Sequence, residues 1–149
     1  MMARRLAASA VAVVAVSALS CATSPRPAVG SPSASERPRT AIELWRTGDD
    51  GYTIFFGEAL EVALGESAVF SLVKVHSPTA MRLSLDSNLD VLGEGENSKT
   101  AYVVVLQTAD ETSLGAMRGT CRRSEFAKCA HRVVAQAEQL LVARRARYP

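Results

Sequence analysis

An apolar stripe near the C-terminus constrains this chain most. Phe126, Cys129, Ala130, Val133, Val134, Ala137, Leu140 and Leu141 recur at i, i+3, i+4 and i+7 intervals, while Glu125, Lys128, His131, Arg132, Gln136 and Gln139 fall on the other side. The spacing predicts an amphipathic helix of about 22 residues, with Ser124 as N-cap and Glu125 in the first turn. Arg144, Arg145 and Arg147 stand where the carbonyl end of the helix dipole favours cations. A stripe of that length needs a surface to cover, and the rest of the chain must supply it.

Residues 41–111 carry short period-two runs separated by turn residues. Ile42 and Leu44 alternate around Glu43. After the turn Thr47-Gly48-Asp49-Asp50-Gly51, Tyr52, Ile54 and Phe56 alternate in the same way. Leu60, Val62 and Leu64 fit one strand face, although Leu60 and Leu64 also suit a helical turn; the glycines at 57 and 65 favour the strand. Ala68–Val75 reads as a nearly continuous apolar strand, Met81, Leu83 and Leu85 alternate with Arg82 and Ser84, and Ala101–Thr108 is the most buried in character. These runs predict an α+β domain over residues 41–149: a small antiparallel meander of five or six strands, with the C-terminal helix packed on one face.

The first forty residues have a different composition and cannot join that core. Arg4 and Arg5 precede fourteen residues, Leu6 to Leu19, drawn from Leu, Ala, Val and Ser. A positive start, an apolar middle and small residues around position 20 form an export signal over residues 1–20. As a helix the apolar part would reach roughly 21 Å, short of the ~30 Å hydrocarbon core. Residues 22–40 contain four Pro, four Ser and three Arg. This composition buries too little to offset its ordering entropy and predicts a disordered tether, with Arg26, Arg37 and Arg39 available to anionic head groups.

The sequence Ala18-Leu19-Ser20-Cys21 resembles the lipobox of bacterial lipoproteins, whose usual pattern has Leu and a small residue where Ala18 and Leu19 stand here. The resemblance covers the signal segment and says nothing of the domain behind it. It implies diacylglyceryl transfer to Cys21, cleavage after Ser20, and acylation of the new amino group, including by palmitate. Several acyl chains at ~0.8 kcal/mol per buried CH₂ hold a protein to a bilayer far better than one. With Ala22 after the cysteine, the resemblance implies the outer membrane, facing the periplasm. The alternative is ordinary secretion, with cleavage after Ala18 or Ala22.

Three cysteines in an exported chain leave one over. With Cys21 acylated, Cys121 and Cys129 remain as a disulfide pair, the alternative being two reduced buried thiols. In one continuous helix they would stand about 12 Å apart along the axis, so a bond requires Cys121 to lie outside the helix and fold back on its first turns. A metal at this pair is not expected, because the spacing matches no ligand pattern.

Charge is separated along the chain. Residues 41–111 hold 4 basic and 12 acidic residues, and residues 112–149 hold 8 basic and 2 acidic. Either the basic helix leans on the acidic rim of its own sheet, or Arg122, Arg123, Lys128 and Arg132 form an anion-binding patch for lipid head groups, an acidic wall polymer or an acidic envelope protein. Nucleic acid is not expected as a partner of an exported chain whose processed form balances 15 basic against 15 acidic residues.

Asp86-Ser87-Asn88-Leu89-Asp90 opens like a calcium loop, but Val91 and Asn97 occupy its two demanding positions, so it reads as a polar turn. The sequence contains no nucleophile elbow, zinc-protease motif or phosphate loop, and no cofactor is expected. These observations favour a non-catalytic, lipid-anchored binding or accessory module of the cell envelope. The alternatives are a secreted inhibitor or ligand carrier using the free sheet face, and a minor hydrolase built on His76 and an acid that the spacing does not single out.

Overall fold

The computed structural model describes residues 38–95 and 98–147. The signal segment, Cys21 and most of the tether lie outside the described residues. Strand β1 (Thr40–Arg46) leads into helix α1 (Gly51–Glu66), followed by β2 (Phe70–Leu72), β3 (Met81–Leu85), β4 (Asp90–Leu92), β5 (Lys99–Gln107) and β6 (Ser113–Cys121). A 3-10 turn over Arg123–Glu125 then opens into α2 (Phe126–Arg147). The α+β class and the C-terminal helix on one face agree with the sequence reading, and the strand number falls within the five or six expected, but β4 and β6 stand where the sequence reading placed no strand.

The sheet runs β2-β1-β3-β5, with β4 continuing along the edge of β5 that β3 occupies and β6 on the opposite edge. It is mixed where a meander was expected: β1 pairs in parallel with both β2 and β3, and the remaining pairs are antiparallel. The cause is two returns: α1 carries the chain back so that β2 starts at the same end as β1, and residues 73–80 do the same for β3. The 52–56 and 57–65 strand readings are therefore corrected to one helix.

Two features explain α1. Its buried positions, Thr53, Phe56, Gly57, Leu60, Ala63 and Leu64, are spaced for a helix. The alternation that suggested a strand mixed three of these buried residues, Phe56, Leu60 and Leu64, with apolar residues outside the buried set, Tyr52, Ile54 and Val62, the last 59% exposed. The second feature is the cap. Asp50 Oδ1 accepts from the amides of Tyr52 (2.8 Å) and Thr53 (3.1 Å), and Thr53 Oγ1 donates to the same carboxylate. That hydroxyl also accepts from the Leu89 amide at 2.9 Å, tying the helix start to the turn before β4. Arg46 crosses the helix at Gly57, where an added Cβ would lie 2.7 Å from its guanidinium and would have to push that exposed side chain aside.

Both helices cover one face of the sheet. Ile42, Leu83, Val104 and Leu106 from the strands meet Phe56, Leu60 and Leu64 of α1 and Val133 and Ala137 of α2, all within 2% of full burial. Phe56 is central, stacked on Tyr102 (centroids 5.0 Å apart) and edge-on to Phe126 (5.2 Å). Such pairs add about 0.5–1.5 kcal/mol each beyond their area. Gly115 lets Leu140 reach the sheet, since a Cβ there would sit 2.9 Å from its Cδ1.

The 68–75 run shortens to the three residues of β2, and where a polar turn was expected Asp86–Leu89 is a short bent link that carries the chain on from β3 along the same edge of β5, with Asp90 opening β4. Ser124 is not a cap: it lies in the 3-10 turn, whose leading residue Arg122 makes no side-chain capping bond. Cys121 ends β6 outside α2 and is bonded to Cys129, with Cα atoms 6.5 Å apart. This bridge pins the start of α2 to the sheet. For so short a loop the chain-entropy model gives about 2.5 kcal/mol, so reduction, or Cys121→Ala/Cys129→Ala, is expected to lower Tm by roughly 10 °C in a calorimetric scan.

Candidate functional site on the uncovered sheet face

Side chains alternate across a sheet, so the residues beside Ile42, Leu83 and Leu106 point away from the helices. The ladders bring Glu43 beside Arg82, and Trp45 beside Ser84 and then Val105. Val103 pairs with Arg118 on the same face. Trp45 is 41% and Val103 43% exposed, and neither is covered by a helix.

Around Trp45 the face is ordered by one carboxylate. Glu43, only 6% exposed, accepts from Trp45 Nε1 at 2.8 Å and from the Ser77 amide, and lies 3.3 Å from His76 Nδ1. The indole donor, then the Ser77 amide, hold the carboxyl down to about 2 against the opposing effect of burial. The other side of the indole carries Arg82, whose guanidinium carbon is 3.8 Å from the ring centroid and whose Nη1 is 3.1 Å from Glu111. His76 approaches edge-on, with ring centroids 6.2 Å apart. A cleft of about 240 Å³ opens beside this group, between Trp45, Val73 and His76.

This arrangement has the parts of a recognition surface. The acid beside His76 is Glu43, which the sequence could not single out, but its oxygens are committed to three donors. Among the described residues no Ser, Thr or Cys side chain is hydrogen-bonded to His76, so a base and its orienter are present without a nucleophile in line. A fixed indole with a cation stacked on it instead offers a flat, amphipathic contact surface.

The cations singled out in the sequence lie elsewhere. Arg122, Arg123, Lys128 and Arg132 are exposed around the β6–α2 junction, and among the described residues none lies within ion-pair distance of a carboxylate. Arg123 stacks over Phe55 (4.5 Å) and Tyr52 (5.7 Å) of α1, and Arg132 Nη2 lies 3.0 Å from Cys129 Sγ. Among the described residues the one ion pair between α2 and the acidic half of the chain is His131 to Glu66, at 3.4 Å. Cys21 lies outside the described residues. Asp86 accepts from Ser84, and Asn88 caps the Asp49 amide, so the calcium-like turn clasps α1. Among the described residues no group of three His, Cys, Asp or Glu side chains is placed to hold a metal.

Trp45 is the chain's one tryptophan, so its emission reports this site directly. A carboxyl held near 2 in the fold and at 4.5 when unfolded stabilises the fold fully above about pH 4.5 and progressively less as pH falls toward 2. In Glu43→Gln that decline is expected to be shallower in acid melts, and the emission of Trp45 is expected to shift, because the amide keeps one acceptor oxygen for the two donors, indole and Ser77 amide, that the carboxylate serves.

No protein-family model matches the chain, and no curated protein matches it. Among solved structures, a crystal structure of a minor lipoprotein from Acinetobacter baumannii aligns over 70% of this chain and 94% of its own length, with 13% identity and a TM-score of 0.42. Nothing about this chain's function is carried over from that likeness.

Proposed function

We propose that this chain is a lipid-anchored protein of the cell envelope whose small domain works as a non-catalytic binding or accessory module, meeting an envelope partner with the Trp45 face of its sheet. One observation carries the anchor: Cys121 and Cys129 are bonded to each other, which leaves Cys21 as the odd cysteine of three. An exported protein with a leftover thiol is exposed to oxidation and mispairing, and acylation removes that thiol. The export signal, the lipobox-like residues before Cys21 and the Pro-rich stretch behind it support the same reading. No described helix is long and apolar enough to cross a membrane. Ala22 supports the outer membrane, facing the periplasm, as the place of attachment.

Cells supplied with labelled palmitate are expected to incorporate it into the wild-type protein and not into Cys21→Ala, and the mature polypeptide is expected to begin at a modified Cys21 by mass spectrometry. Equal labelling of both proteins, or an intact product in the medium beginning at residue 23, would overturn the proposal.

A further inference from the structure

We infer that the end of the domain where β1 begins carries a built-in docking groove for anionic phospholipid head groups. β1 and β3 are parallel, β3 and β5 antiparallel, and β5 and β6 antiparallel, so Thr40 and Ser113 start their strands at the same end of the sheet. The last turn of α2 arrives there as well: Arg145 Nη2 donates to Thr40 Oγ1 at 2.7 Å. Arg39 lies next to it in the chain, donating to the Phe70 carbonyl at 2.6 Å. Arg39, Arg144, Arg145 and Arg147 thus collect where the tether enters.

Between α2 and the start of β6 lies a groove of about 360 Å³. Leu114, Leu140 and Ala143 form its apolar wall, Ser113 brings a hydroxyl, and Arg144 and Arg147 bring charge. Arg144 Nη1 is buried with no hydrogen-bond partner among the described residues. An orphaned buried donor costs on the order of 1–3 kcal/mol, more for a charged group, so a small turn of the Arg144 guanidinium toward an anion in the groove would relieve that cost. Of the nearby acids, Glu111 pairs with Arg82 and Glu66 faces His131, while Asp110 and Glu138 accept from hydroxyls of Thr108, Thr112 and Ser67 and none of them lies within ion-pair distance of Arg144 or Arg147 among the described residues. The groove therefore sets two guanidinium groups free of described ion pairs beside an apolar wall, which matches a phosphodiester and the first carbons of its lipid.

The location of the groove selects the bilayer as occupant. The inference rests on the lipid-anchor reading, under which Cys21 sits in a membrane nineteen residues before Thr40. Fully extended, that chain spans about 60 Å, so head groups remain at high effective concentration and a weak contact suffices. Each cation near an anionic surface contributes by about a factor of five at low salt.

The test uses the processed chain from residue 21 as Cys21→Ser, so that acylation plays no part in the result. Flotation with phosphatidylcholine vesicles containing 30% phosphatidylglycerol, about a third anionic, is expected to retain it, and pure phosphatidylcholine is not. Added salt is expected to release it. Arg144→Ala/Arg147→Ala is expected to weaken retention about tenfold or more, and Arg147→Glu alone, at an exposed position, to weaken it in the same direction. Arg122→Ala/Arg123→Ala, at the opposite end of β6, is expected to leave retention unchanged. Equal retention on neutral vesicles, equal loss in both double variants, or displacement by millimolar glycerol phosphate would overturn the proposal, the last by showing a soluble phosphate ester as the occupant. Failure of palmitate labelling would remove the anchor without altering this vesicle result, so the two readings fail separately.

Discussion

The structure depends on a mismatch between a broad sheet and a single layer of two helices. Apolar surface buried on folding stabilises at roughly 25 cal/mol per Å², and here nearly all of it lies between one sheet face and the facing stripes of α1 and α2. That arrangement fixes α2 along β6, where Gly115 and Leu140 allow close approach, and it requires the helix to start at one place, which the Cys121–Cys129 bridge enforces. It also leaves the other face open. Glu43 and Ser84 are buried on that open face without help from a helix, shielded by Trp45, Arg82 and the residues around Ser77.

How much of this was legible in the sequence follows from where the signals sit. The period of α2 was plain because its polar side is strongly charged, so the stripe had contrast. α1 lacked contrast: Tyr52, Ile54, Phe55 and Val62 surround its buried residues with further apolar ones, and Gly57 and Gly65 read as breaks. The cue that could have found it was Asp50, a capping residue placed before Thr53, Phe56, Leu60 and Ala63 at helical spacing. β6 was missed because Gly115 and Gly119 dilute its alternation, and those glycines exist for Leu140 and Tyr102, which only the folded structure brings near.

The site on the open face was legible in part. His76 stood out as a titratable residue, but its partner lies 33 positions earlier, and nothing in local spacing joins Glu43, His76 and Arg82. Their meeting is a product of the parallel register between β1 and β3. Of the basic cluster around Thr40, Arg144, Arg145 and Arg147 were read in the sequence as helix-terminal cations and Arg39 as part of the tether, with nothing to join the two. Its neighbourhood with Thr40 is a contact across 105 residues. Long-range charge clusters of this kind are set by strand direction, which composition does not encode.

The parallel ladders on both sides of β1 have a mechanical consequence. A pull delivered through the residues before Thr40 runs along the length of β1, so the bonds to β2 and β3 are strained side by side instead of opening one after another from an end. Arg39 adds a rivet to the Phe70 carbonyl just outside the first rung. A domain pulled through its N-terminus would resist at the strand best suited to bear the load.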